Sequence, residues 1–484
     1  MSREVIGKIR VKGALVARTP ISVGGIGDGE HVDLELAEDG TGRCYVPGTS
    51  LAGPMRAWLT SRLDQKESHP LICALFGYVD KDDGQASSLF VHDSPIEGDV
   101  KRERRHGIAI DPRTGTTQEG FFYTRALLPK GTRLPLAMEL DILEDYGDLD
   151  PARDGHPAGA LARVIEALKE GDIRFGACKT RGMGKVKLED LKVDHYDFTK
   201  DKDALDAWLD DKPRNLELEA LDKAFPPPEL AESCLYNIAI KWRAASPLMI
   251  KSGRDGAEAD MMPLMSGVGG GGLAPVIPGS SLKGVLRSQA RKIMNTLFGD
   301  PPLLPKEEKD GEPWLILADL FGSKNQAGRL RIDDVYYGEN ASISQEDWLN
   351  EAATAMDGFT ERRQHVAIDR FTGGASDGAL YSVRPVKRGE GWDDIVLSLD
   401  ASNAVSEANT LKELALLRLL VRDMRAGYLP IGFGTRRGLG EVDVKDVAYS
   451  DGFPSDSDLQ SAWDDFVASE GTSFDVQDEG RSQG

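Results

Sequence analysis

RRHGIAIDPRTGTTQEGFFY, residues 104–123, and RRQHVAIDRFTGGASDGALY, residues 362–381, align without a gap at an offset of 258. Each carries a Thr-Gly pair between short runs of apolar residues, which reads as a hairpin: Ile110-Asp111-Pro112-Arg113-Thr114-Gly115 in one copy, Ile368-Asp369-Arg370-Phe371-Thr372-Gly373 in the other. Two more matches flank this pair in the same order. Val46–Arg56 (VPGTSLAGPMR) aligns with Ile277–Arg287 (IPGSSLKGVLR) at an offset of 231, and Arg181–Val186 (RGMGKV) with Arg437–Val442 (RGLGEV) at 256. Three matches in one order, separated by small insertions, mean that the chain is a duplicated module.

Each copy opens on a strand, seen in the alternation of Leu235–Trp242 and of Ile9 and Val11. The Pro-Gly-[Ser/Thr]-Ser-Leu element then opens a helix, with Ser280 or Ser281 as cap and Leu282, Val285, Leu286, Ile293, Met294 and Leu297 at helical spacing; Leu51, Met55, Trp58, Leu59 and Leu63 repeat the pattern. A second helix runs over Leu161–Lys169 and Leu411–Arg425, stopped by Gly171 and Gly427. Mixed strands and two principal helices per copy predict an α+β fold, two ferredoxin-like or RRM-like split βαβ modules with inserted hairpins. The expected boundaries are 1–196 for the first module, an acidic linker over 197–233, the second module over 234–450, and an acidic flexible tail over 451–484.

A net charge of −21 over 484 residues is unusual for a nucleic-acid binder. Its distribution resolves the conflict. Glu189–Cys234 holds 14 acidic against 6 basic residues, and the chain from Asp451 onward 9 against 1, so the two modules themselves are close to neutral. Basic runs remain at Lys101–Arg105, Glu361–Arg363 and Thr435–Arg437. No apolar leader or spanning segment is present, so a cytoplasmic protein without membrane contact is expected. Cys44, Cys73, Cys178 and Cys234 form no CxxC pair, which argues against a zinc site or a disulfide framework. There is no HExxH and no Walker loop, and Arg437 stands where a GxGxxG fingerprint needs glycine.

Four elements in order, Pro20-Ile21-Ser22-Val23-Gly24-Gly25, IPGSSLKGxLR, AIDRxTGxAxxG and GxGTRRGLGEV, resemble the RAMP superfamily of CRISPR-associated proteins. More narrowly, the chain looks like a tandem fusion of two backbone subunits of type III effector complexes, of the type III-D kind. The resemblance implies binding of a CRISPR guide RNA, a complementary single-stranded target RNA and other effector subunits, and it implies that the hairpins are thumbs wedged into the guide–target duplex. Ile110, Asp111, Ile368, Asp369 and Phe371 are the thumb candidates, with Phe121 and Phe122 as further wedges, although an aromatic on a strand is more often core.

Helix N-termini present unbonded N–H groups, so Gly48, Thr49, Ser50, Gly279, Ser280 and Ser281 suit phosphate oxygens, with Arg56, Lys283 and Arg287 as counter-charges. Arg181, Arg436 and Arg437 in the glycine loops suit a backbone or a base, and the first copy of the loop is the less basic. Family members that cut the target use an aspartate between the first strand and the helix. Asp33 and Asp260 stand there, 14 residues before Pro47 and 18 before Pro278, and become equivalent if Gly269–Gly272 is an insertion. The resemblance makes them ligands of Mg²⁺ or another divalent cation, with a splayed nucleotide supplying in-line geometry. Asp28, Glu30, Glu35, Asp39, Asp255 and Glu258 crowd the same loops, and His31 lies beside Asp33 without a counterpart. A non-catalytic RNA scaffold and a guide-processing endoribonuclease are the alternatives.

Overall fold

The computed structural model describes the chain except residues 1–3, 26–31, 64–67, 81–82, 97, 99, 112–113, 115, 233, 254–258, 300–313, 339–341, 351–355, 403, 405 and 480–484. It divides into two compact units, one made of 1–107, 122–179 and 183–233, the other of 108–121, 180–182 and 234–484.

In the first unit, β1 (Val5–Ala17), α1 (Gly48–Arg62), α2 (Pro70–Phe76), β2 (Leu89–Val91), a hairpin of β3 (Glu103–Gly107) and β4 (Tyr123–Leu127), β5 (Arg133–Leu143), α3 (Pro157–Glu170) and β6 (Val186–Asp197) follow in order. The sheet order is β6-β1-β5-β2, with every neighbouring pair antiparallel. β1 and β2 are joined through helices and separated in the sheet by β5, which is the split βαβ of a ferredoxin-like module. β5 alternates strictly, burying Leu134, Leu136, Met138, Leu140 and Ile142 with Leu51, Met55 and Leu59 of α1 and Leu161, Val164, Ile165 and Leu168 of α3. α3 ends where Gly171 turns left-handed (φ 85°).

The second unit repeats the plan. β7 (Leu235–Ala244), α4 (Gly279–Phe298), α5 (Leu315–Phe321), β8 (Leu330–Ile332), the hairpin of β9 (Arg363–His365) and β10 (Tyr381–Val383), β11 (Ile395–Asp400), α6 (Glu407–Arg425) and β12 (Val442–Tyr449) form a sheet of order β8-β11-β7-β12. In both repeats the chain forms the thumb hairpin between the second and third sheet strands in sequence.

The Pro-Gly helices α1 and α4 start without a serine cap. Pro47 and Pro278 hold the cap positions, and neither makes a side-chain cap bond. A carboxylate from beyond the edge strand serves instead: Asp93 Oδ1 accepts from Gly48 N at 2.7 Å, and Asp334 Oδ1 from Gly279 N at 2.8 Å. Glycine is required there by close approach, because a Cβ on Gly48 would overlap the Val91 carbonyl and one on Gly279 that of Ile332.

Two expectations drawn from acidic composition are corrected. The segment 197–233 is not a linker but folds onto the first unit. Helix Lys202–Leu209 places Ala204 and Ala207 against Tyr196, and Leu221 of helix Leu218–Ala224 is fully buried in the core. Leu205 and Leu209 face outward. Much of the acidity is paired locally, as in Arg163–Asp222 at 2.9 Å and Arg214–Asp201. Within the tail, Asp456–Glu479 is a helix whose Leu459, Trp463 and Phe466 are buried in the second core beside Phe298. Net charge averages over a helix, whereas burial depends on one face of it.

Candidate nucleic-acid interface

The two thumbs are built alike. Ile110 bridges Thr117, and Asp111 N donates to Thr116 O at 2.9 Å; Ile368 bridges Ala375, and Asp369 N donates to Gly374 O at 2.8 Å. Asp369 Oδ1 also accepts from Phe371 N at 2.7 Å and Thr372 N at 3.0 Å, and these backbone donors lower its carboxyl pKa. Large apolar side chains stand exposed at matched positions: Ile108 and Val366, Ile110 and Ile368, Phe122 and Leu380, with Phe121 and a fully exposed Phe371 besides. A core role for these aromatics is therefore excluded, and the side chains are available to insert between bases.

At the base of each thumb sits one of the two aspartates. Thr124 N donates to Asp33 Oδ2 at 2.6 Å, and Ser382 N to Asp260 Oδ2 at 2.6 Å. Thr124 and Ser382 are equivalent in the hairpin alignment. The backbone agrees: Leu34 N bonds Thr124 O at 3.2 Å, and Met261 N bonds Ser382 O at 3.1 Å. Further out, Ala37 N bonds Val23 O and Leu264 N bonds Ile250 O, which keeps the two loops in register beyond the aspartates. The extra residues of the second copy fall later, where Met265–Gly267 pairs with Gly272–Ile277 around left-handed Gly269, Gly270 and Gly271. Asp33 and Asp260 thus occupy the same place. Ser382 holds the Asp260 carboxyl below its ordinary pKa through its N–H and then its hydroxyl, at 3.0 Å.

The glycine loops also match, residue by residue. Gly176, Cys178, Gly182 and Gly184 have φ of 79°, 56°, 97° and 84°; Gly432, Gly434, Gly438 and Gly440 have 92°, 72°, 76° and 82°. A Cβ on Gly176 would overlap the Ser22 carbonyl, and one on Gly432 that of Met249, so the loop lies directly on the chain leaving the first strand. In the first unit, Ser22, Val23, Gly24, Ser50, Pro54, Gly176 and Ala177 line an open depression of about 370 Å³. Three of the sequence motifs meet there on a surface made of backbone and small side chains. In the second unit, Arg437 stacks over Phe433 (4.8 Å to the ring centroid) and bonds the Tyr381 hydroxyl, while His365 stacks on Tyr381 at 5.1 Å. The aligned residues of the first repeat, Ala177, Arg181, Tyr123 and Gly107, cannot build that stack.

Several predicted phosphate contacts are corrected. Lys283 is buried, its Nζ donating to Leu330 O at 2.7 Å, and burial pushes its pKa down to about 7. It supports the fold rather than presenting a surface charge. Arg56 donates to Gly77 O at 3.0 Å, at the end of α2. Asp93 and Asp334 already place an anion at the two helix N-termini, which weakens their attraction for phosphate. Thr49 and Ser280 remain exposed, Ser50, Ser281 and Arg287 are half-buried, and Arg181, Arg436 and Arg437 are exposed.

Among the described residues, no group of three or more His, Cys, Asp or Glu side chains is arranged to hold a metal ion. One carboxylate per site, already accepting a backbone N–H, is not a donor set that fits a divalent cation by itself. Asp28, Glu30, His31, Asp255 and Glu258 lie outside the described residues, as do Pro112, Arg113 and Gly115 of the first thumb. Glu35 and Asp39 are described, and Asp39 is used locally, accepting from Thr41 and Arg43 within its own turn. Sequence reasoning missed Asp93, Asp334, Phe433 and Tyr381; the Asp–Gly contacts span 45 and 55 residues, which no local pattern reports.

Two ferredoxin-like modules, each with an inserted thumb, a glycine loop and a carboxylate at the thumb's base, define a tandem module protein of one family. The RAMP superfamily model matches residues 14–187 and 244–443, and the chain belongs to that superfamily. It is similar to the CRISPR system Cms endoribonuclease Csm3 of Methanocaldococcus jannaschii, 24% identical over 242 residues that cover 45% of this chain and 91% of the relative. No helix among the described residues is long and apolar enough to cross a membrane.

Proposed function

We propose that this chain is a tandem backbone subunit of a type III CRISPR effector complex, holding guide RNA and cleaving complementary target RNA at one site per module. The observation that carries the reading is the repeated seating of a carboxylate, Asp33 or Asp260, on the backbone N–H at the base of a thumb whose tip exposes apolar side chains. A thumb inserted in the duplex unstacks a nucleotide beside that carboxylate. The freed nucleotide can then place its 2′-hydroxyl in line with the next phosphorus, which is the expensive part of the reaction. The exposed Arg181, Arg436 and Arg437 serve the RNA backbone. The family match and the endoribonuclease relative support this reading.

The test is cleavage of a labelled target by the assembled complex, with and without Mg²⁺. Asp33→Ala and Asp260→Ala should each remove one of two cuts while guide binding persists. If both variants leave both cuts, the assignment of the sites fails. The lone carboxylate favours one other reading, a scaffold that binds RNA without cutting it. Normal assembly with an intact target under all metal conditions would establish that reading instead.

A further inference from the structure

The two sites differ in the residue that stands opposite the aspartate's backbone donor. In the first repeat, His106 stands opposite Thr124 in the thumb hairpin; in the second, the matched pair is Gln364 and Ser382. The neighbouring hydroxyls follow this difference. Ser382 Oγ turns to Asp260, whereas Thr124 Oγ1 lies 2.9 Å from His106 Nδ1. Thr124 therefore bridges two groups, since its own N–H reaches Asp33 Oδ2 at 2.6 Å. The amide nitrogen and Oγ1 of one threonine being roughly 3 Å apart, His106 Nδ1 and Asp33 Oδ2 are separated by no more than about 9 Å.

The imidazole is also held in place. It stacks on Phe122, with centroids 5.2 Å apart and planes 21° from parallel, and both rings are exposed on the thumb. With Nδ1 taken by the Thr124 hydroxyl, Nε2 is the nitrogen left to meet a substrate. An in-line transfer is faster when one group takes a proton on the attacking side and another gives one on the leaving side. A carboxylate and an imidazole held on either side of one threonine can meet both needs.

We propose that His106 is the general acid of the first site and that the second site works without one. The inference rests on the cleavage reading of Asp33 above. As the 2′-oxygen bonds to phosphorus, its proton passes to the Asp33 carboxylate. The P–O5′ bond breaks, and the electron pair left on O5′ takes the proton from His106 Nε2. The products are a 2′,3′-cyclic phosphate and a 5′-hydroxyl; the Asp33 carboxyl then gives its proton to water and the imidazole takes one from water, which restores both groups.

The test is His106→Gln, the residue that the second repeat uses, in the assembled complex with guide and target. Cleavage at the first site should slow by about 100-fold, the low end for a lost proton donor, with the second site unchanged as internal control. A target whose scissile 5′-oxygen is replaced by sulfur has a leaving group that needs no protonation, and His106→Gln should cut it at the unsubstituted protein's rate. Equal slowing of the oxygen and sulfur targets would make His106 structural and overturn the proposal, as would no slowing of either. Asp33→Ala in parallel separates the two readings: if it leaves the first cut intact, the cleavage reading fails as well.

Discussion

Trp463→Ala should unfold the second unit at a distinctly lower temperature while leaving the first untouched. Trp463 is 8% exposed, sits with Leu459 and Phe466 in the second core, and packs its ring 5.4 Å from that of Phe466. Removing a buried Trp side chain costs about 3–5 kcal/mol when the surroundings cannot collapse into the space. For a unit of this size each kcal/mol moves the midpoint by about 2–4 °C, so a fall of about 10 °C is expected. Differential scanning calorimetry on the full chain reads it, because two units with separate cores give separable transitions. The exposed neighbour substitution Gln460→Ala should stay within about 0.5 kcal/mol of the parent. If Trp463→Ala shifts no transition, or shifts both equally, the C-terminal helix is not part of the second core and the packing argument is wrong.

Other consequences are as direct. Lys283 has a folded pKa of about 7 against an ordinary value of 10.5, so between those values the unfolded chain holds a proton that the folded chain does not, and stability of the second unit should rise with pH across that window. Lys283→Met should flatten this rise in urea midpoints measured at pH 7 and 9.5; an unchanged slope would contradict the buried, deprotonating amine. Ser382→Ala removes the hydroxyl donor to Asp260 but keeps the N–H, so the Asp260 midpoint, read by NMR titration, should move up toward the ordinary carboxylate value of about 3.9. The stabilisation from that depressed carboxyl is present above the ordinary value and lost as pH falls through the folded one, so the variant should lose it at higher pH. Phe371→Ala, at a fully exposed position, should leave the melting temperature within experimental error yet abolish the second cut; a large destabilisation would refute its role as a free wedge.

The repeat made most of the fold legible. Helices over Leu161–Lys169 and Leu411–Arg425 and the strand at Leu235 follow from local periodicity and glycine stops, and they occur within Pro157–Glu170, Glu407–Arg425 and Leu235–Ala244. The equivalence of Asp33 and Asp260 was legible too, because an insertion changes spacing by a countable amount. Capping was not: Ser280 and Ser281 carry the right side chains, but Pro278 takes the cap position and Asp334 arrives from the far end of the edge strand.

What the sequence alone determined about this protein is its duplication, its order of strands and helices, and the positions of its chemistry-bearing loops, all properties that neighbours along the chain encode. Tertiary structure decided which charges are spent. Lys283 reads as a phosphate clamp until its amine is found on the Leu330 carbonyl, and the acidic tail reads as mobile until Trp463 is found in the core. It decided likewise that His106 and Asp33, 73 residues apart, share one threonine. Burial and pairing depend on which segments meet in space, and that is settled by the whole chain folding against itself.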